Sequence, residues 1–179
     1  MKEVFDNYFK KLNTAWQEKG SNHPKTVYLE RCDVKNGVYI PDTREEGGYV
    51  QWQPKLQNEP VDFESLEKEL GFKIHKSIKD FFSIYWFEII EGHYEGTHIW
   101  LDGITPPMDI LEKVREGFNK GSVHHLKDDK YFGIGAFDPM AIFVNNRTGE
   151  VTAALFHEEI SEHMADSIEE LMSIIQEDI

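Results

Sequence analysis

Residues 61–90 read VDFESLEKELGFKIHKSIKDFFSIYWFEII, and this stretch decides the fold. Phe63, Leu66 and Leu70 recur at helical spacing and make one apolar stripe. Asp62 stands where an N-cap belongs, because its carboxylate can accept an orphan backbone N–H. Gly71 follows the last apolar residue, where a helix commonly closes in a left-handed conformation. Ile74, Ile78, Phe81, Phe82 and Tyr85 then recur at i, i+4, i+7, i+8 and i+11. The pattern predicts two amphipathic helices joined by a tight break, the second with the bulkier stripe. Burying each large apolar side chain contributes roughly 1.5–3 kcal/mol, so the pair is expected to seed the core.

Outward from this unit, residues 2–19 read as a helix with Val4, Phe5, Tyr8, Phe9, Leu12 and Trp16 on one face, ended by Gly20 and Pro24. Asn36-Gly37 suggests a turn, PDTREEGG a polar loop, and Tyr49-Val50-Gln51-Trp52 a strand stopped by Pro54. Gly92 and Gly96 bracket a turn, after which Ile99 and Leu101 share one strand face. Thr105-Pro106 looks like a helix start, with Ile110, Leu111, Val114 and Phe118 as the apolar face and residues 119–130 as loop. Strands are expected near 131–134, 141–144 and 151–156, the last two joined by a hairpin turn through Asn145-Asn146-Arg147-Thr148-Gly149-Glu150. A closing helix begins near Asp166, with Asp166 and Glu169 at capping-box spacing and Ile168, Leu171, Met172 and Ile175 buried. Helices at both ends with antiparallel strands between them argue an α+β fold and against a parallel doubly wound sheet. The predicted core is Trp52, Phe63, Leu66, Leu70, Ile78, Phe81, Phe82, Ile142, Phe143 and Leu171, with one of Ile142 and Phe143 free to face outward.

The 179 residues suffice for one domain across 1–179. No run approaches the ~18 consecutive apolar residues of a membrane-spanning helix. MKEVFDNYFKK carries no signal-peptide apolar run, so a cytoplasmic location is expected. Nineteen Lys and Arg face 33 Asp and Glu, a formal net charge of −14. A nucleic-acid binder carries a basic footprint, and an anionic membrane would repel this chain. The partner to expect is a basic protein surface.

Most candidate chemistry fails on spacing. Cys32 is the only cysteine, which excludes an internal disulfide and a cysteine zinc site. His157-Glu158-Glu159-Ile160-Ser161-Glu162-His163 lacks the second histidine four residues after the first that a zincin helix needs, since Ser161 stands there. His124-His125 falls in a predicted loop, and His98 alternates with Ile99 toward solvent. Gly133-Ile134-Gly135 is followed by Asp138-Pro139 and not by a third glycine opening a helix. No cofactor is expected. The acidic residues are more informative, because no Lys or Arg follows Arg147 while Asp and Glu continue to the end. Two further concentrations are Asp42, Glu45 and Glu46, near Tyr49 and Trp52, and Glu88, Glu91 and Glu95. Gathered on one face, such charges steer a cationic partner.

Ordered motifs then accumulate. They are Ala15-Trp16, Trp52-Gln53-Pro54, the unit from Phe63 through Leu70-Gly71-Phe72-Lys73-Ile74 to Phe81-Phe82, Thr148-Gly149-Glu150-Val151, and Asp166-Ser167-Ile168-Glu169-Glu170-Leu171. In that order the chain resembles the Syd family of the SUKH superfamily. It departs at Ile74-His75-Lys76, where many superfamily members have Leu-Pro. The resemblance implies a central, mostly antiparallel sheet flanked by helices, and a binding protein without a catalytic site. Syd proteins associate with basic cytosolic loops of the translocon subunit SecY through an acidic concave face. Other superfamily members are immunity proteins that neutralise polymorphic toxins, often basic nucleases.

The favoured expectation is immunity against such a toxin. Binding to SecY, with membrane contact only through it, is the alternative. A hydrolase using carboxylates is the alternative of a different class. Family binding residues form no sharp motif, so the candidates come from charge alone: Asp42, Glu45, Glu46, Glu88, Glu91 and Glu95, with Tyr49 and Trp52 as aromatic anchors if exposed.

Overall fold

A computed structural model describes residues 1–30, 37–122, 130–155 and 161–177. Cys32, Asn36, His124, His125 and residues 156–160 of the histidine–glutamate segment lie outside the described residues. The elements run α1 (Lys2–Glu18), β1 (Lys25–Val27), β2 (Tyr49–Gln51), β3 (Lys55–Leu56), α2 (Phe63–Leu70), α3 (Lys76–Ser83), β4 (Tyr85–Trp86), β5 (Ile90–Tyr94) and β6 (Thr97–Leu101). They continue α4 (Ile110–Ser122), β7 (Tyr131–Phe137), β8 (Met140–Asn145), β9 (Val151–Leu155), β10 (Ser161–Ala165), α5 (Ile168–Ile174) and β11 (Gln176–Glu177). Seven strands form one sheet in the order β10-β9-β8-β7-β6-β5-β11, and two small sheets pair β1 with β2 and β3 with β4. Every pairing is antiparallel. The fold is α+β, as the order of elements predicts.

One continuous core draws on residues from Phe5 to Ile175. Its centre is aromatic. Phe5 lies 5.4 Å from Phe81 and 5.2 Å from Phe87, centroid to centroid, and Phe81 meets Phe82 edge-on at 4.9 Å. Such pairs add to the stabilisation from area burial alone. Leu66, Ile78, Phe81, Phe82, Trp52, Ile142 and Leu171 are buried as expected, while Phe63 and Leu70 sit at the rim of the core. Ile142 and Phe143 point to opposite faces of β8, yet both are buried. Phe143 packs with Ala141, Ala154 and Tyr131 in a second, smaller cluster.

The helix pair forms with its predicted caps: Asp62 accepts from the Glu64 N–H at 3.0 Å, and Gly71 closes α2 with φ 77°. The second helix is shorter than its periodicity. Ile74 precedes it, and His75 is its N-cap, the ring Nδ1 accepting from the Ser77 N–H. Tyr85 has left the helix for β4. The cause is long-range: the Gln57 amide donates to the carbonyls of Phe82 at 3.0 Å and Tyr85 at 2.8 Å, and β3 pairs with β4. A distant side chain thus captures carbonyls that a continuing helix would need.

The break between the helices is held from both sides. The buried Glu67 carboxylate accepts from the Ile74 N–H at 3.0 Å, from Lys73 at 2.6 Å and from Lys79 at 2.9 Å. Asn146, in the β8–β9 turn, accepts from the His75 N–H at 2.7 Å and donates to the Lys73 carbonyl at 2.8 Å.

Three other boundaries differ from the sequence pattern. The helix expected at Thr105-Pro106 starts at Ile110, because a residue before proline avoids helical geometry and Pro107 follows Pro106. Asp109 supplies the cap, accepting from Leu111 at 2.8 Å and Glu112 at 3.1 Å, and α4 runs on to Ser122 through residues read as loop. The final capping box is shifted by one residue. Ser167 accepts from the Glu170 N–H at 3.1 Å, and Glu170 reaches back to the Asp166 N–H at 2.7 Å. Finally, Gly92 lies inside β5, and the turn to β6 is Glu95-Gly96, with φ 48° and 81°. Two successive positive φ values make a tight hairpin of the type usually written Asn-Gly.

Candidate interaction face

The small β1–β2 sheet lies against α1 through its inner face. Trp52, just past β2, meets Phe9 edge-on at 6.1 Å and is 3% exposed. The condition under which it would be an anchor is not met, so Trp52 is a core residue. The outer face is different. Val27 pairs with Tyr49 across the sheet, and the two are 56% and 48% exposed. Leu29 and Ile89 are also exposed. Among the described residues, four of the six large apolar side chains left in solvent therefore lie on or beside β1.

A groove of about 240 Å³ runs beside β1, walled by Lys25, Val27 and Leu29 on one side and by Glu88, Ile89 and Glu91 on the other. Glu88 is only 8% exposed, so its carboxylate is turned into the wall and not displayed. Glu91 is exposed, and its carbonyl accepts from the Tyr8 hydroxyl at 2.9 Å, which ties the start of β5 to α1. Opposite, a tight turn closes over Glu45–Gly48, with the Gly48 N–H donating to the Glu45 carbonyl at 3.0 Å. Glu45 reaches Lys25 at 2.6 Å. Arg44 lies over the Tyr28 ring at 4.3 Å. The two cations of this face are thus engaged, while Asp42, Glu46 and Glu91 stand exposed without an ion pair among the described residues.

The structure therefore places Glu88 and Glu91 along the groove, ties Glu45 and Tyr49 to β1 through Lys25 and Val27, and leaves Asp42 and Glu46 in the loop before β2. It does not place Glu95 there. Four residues of extended chain at about 3.3 Å each separate Glu95 from Glu91. Glu95 instead joins Glu162 and Glu170 around Tyr94, whose hydroxyl is pushed up from its ordinary pKa by burial first and these carboxylates second. Sequence reasoning missed Val27, Leu29 and Ile89. Their signal was short apolar runs beside acidic ones, which reads equally as core.

Larger grooves of about 550 and 570 Å³ lie elsewhere, one between α1 and α5 and one beside β3. The first is walled partly by Lys10 and Lys11, so it does not suit a cationic partner. Among the described residues no three His, Cys, Asp or Glu are grouped to hold a metal ion. His163 is placed within 3.1 Å of Glu150 and 3.4 Å of Asp166. No described helix is long and apolar enough to cross a membrane.

The model of the Syd protein (SUKH-2) family matches residues 2–105, a span that holds the helix pair, Trp52-Gln53-Pro54 and the whole groove. The motifs at 148–151 and 166–171 lie beyond that span. The chain is also 22% identical over 139 residues to Protein Syd of Alteromonas mediterranea, covering 73% of this chain and 74% of that protein. With the helix pair, the groove and more than half of its length inside the family's model, this chain belongs to the Syd family.

Proposed function

We propose that this chain is a Syd-type binding protein whose acidic and apolar groove takes the basic cytosolic loops of SecY. The carrying observation is the concentration of exposed Val27, Leu29, Tyr49 and Ile89 beside Glu45, Glu46 and Glu91. Apolar contacts at the centre of an interface supply most of the affinity, and carboxylates at its rim set the association rate. The whole chain, 1–179, acts as one binding domain at the cytoplasmic face of the membrane and reaches the membrane only through its partner. The toxin-neutralising role rests on the same preference for a basic partner, and nothing in the family assignment favours it. The family assignment supports binding over catalysis.

The test uses full-length chain and SecY in detergent or nanodiscs. Association slows as salt rises, because screening shortens the Debye length to about 8 Å at physiological ionic strength. Lysine replacement of Glu46 and Glu91 together slows association about tenfold and leaves the melting temperature unchanged, because neither carboxylate holds an ion pair among the described residues. Glu88 is left intact because it is buried. Association indifferent to both salt and charge reversal would refute the electrostatic reading.

A further inference from the structure

We propose that the outer edge of β1 receives an extended, basic polypeptide segment as an added strand, with the backbone of Val27 as its docking point. The inference rests on the acidic-face reading above and deepens it by giving the partner's conformation.

The hydrogen-bond register carries the argument. The Tyr28 N–H donates to the Gly48 carbonyl at 2.8 Å, the Trp52 N–H donates to the Pro24 carbonyl at 2.9 Å, and Thr26 pairs with Val50 between them. In an antiparallel ladder, alternate residues turn their backbone groups to the partner strand. Pro24, Thr26 and Tyr28 therefore face β2, and Lys25 and Val27 face away from it. Among the described residues no backbone group meets the outward N–H and carbonyl of Val27. An open edge of this kind is a template for another strand.

The groove gives that strand room and selects its side chains. It lies along this edge, between β1 and residues 88–91. Side chains of an incoming strand alternate, so every second one meets Val27, Leu29 or Ile89, all exposed and apolar. The positions beside residues 88–91 meet exposed Glu91, while Lys25 is already neutralised by Glu45. The occupant is thus an extended segment that alternates or flanks apolar residues with Lys or Arg. A second copy of this chain, itself at net −14, is repelled from the same edge.

The experiment titrates full-length chain with a short peptide alternating lysine and valine, at low salt, by calorimetry. Versions of the peptide N-methylated on each alternate set of residues lose one set of backbone donors. Val27→Pro deletes the outward N–H and leaves the β2 ladder intact, because that N–H does not face β2. One of the two methylated peptides, and the Val27→Pro variant, each bind about tenfold more weakly. Since methylation leaves the protein untouched, a variant that fails to fold does not shield the proposal. Binding insensitive to methylation and to Val27→Pro, yet abolished by lysine at Glu46 and Glu91, overturns strand addition and leaves the acidic face standing. SecY binding without peptide binding also overturns strand addition. Failure of both ligands overturns both readings.

Discussion

Replacing Glu67 with glutamine isolates one charge at the junction of the helix pair. The carboxylate is 5% exposed, yet it is held down to a pKa of about 2. Its contact with Lys73 is the largest cause; burial opposes it, and Lys79 and the Ile74 N–H add to it. Because the folded value lies below the unfolded one, the contribution is fully present above about pH 4.5 and is lost as pH falls toward 2. The full shift corresponds to about 3 kcal/mol. Solvent around Lys73, whose side chain is 82% exposed, reduces this to between about 1 and 3 kcal/mol. Urea denaturation followed by tryptophan fluorescence measures the difference between wild type and Glu67→Gln at pH 7 and again at pH 3. The destabilisation at pH 7 falls within that range, and the gap narrows at pH 3 because Glu67 of the unfolded chain is protonated there while the folded carboxylate is still mostly charged. A gap below about 0.5 kcal/mol at pH 7, or one that does not change with pH, would refute the account.

Three further outcomes are expected. Phe81→Ala, at a fully buried side chain packed on Phe5, Phe82 and Phe87, costs about 3–5 kcal/mol in chemical denaturation, and a loss under about 1 kcal/mol would remove the helix-pair core as described. Gly149→Ala places a methyl group 2.5 Å from His75 Cε1 at a residue with φ 83°, so it lowers stability by more than about 1 kcal/mol; an unchanged melting temperature would show that the β8–β9 turn does not pack on the helix break. Excess chelator leaves the melting temperature where it was, and a fall of several degrees would reopen the metal reading at His157, Glu158 and His163.

Local chemistry was legible where it is local. Asp62 caps α2 with its carboxylate, Gly71 ends it in a left-handed backbone conformation, and the Asn145–Glu150 turn joins the strands it was expected to join. Element ends fixed by distant partners were not legible. Gln57 stops α3 from a position well upstream, and Asn146 clamps His75 across the core. Neither residue carries a pattern, because amide side chains suit many roles. Glu95 looked like part of an acidic cluster with Glu91, but a hairpin tip needs positive φ, and Glu95 with Gly96 supplies it. β10 and β11 are short and mostly polar edge strands, which give no alternation to read.

The candidate interaction face was half legible for a related reason. Its charges stand out in composition, whereas its apolar members look like core until the register is known. Val27 and Trp52 read alike in sequence, as apolar residues in short strand-like segments. The alternation of β1 and β2 sends Trp52 onto Phe9 and leaves Val27 and Tyr49 in solvent. The helix pair that decides the fold contributes nothing to the groove except through its continuation, Glu88 to Glu91. It anchors the aromatic core against which α1 packs, and α1 in turn supports the small sheet through Phe9 and Trp52. An exposed apolar edge invites self-pairing in most proteins. Here the acidic excess opposes it, because two copies approaching edge to edge bring like charges together. On the strand-addition proposal, the same excess would attract a cationic strand, so one physical property would both oppose self-pairing and favour the proposed partner.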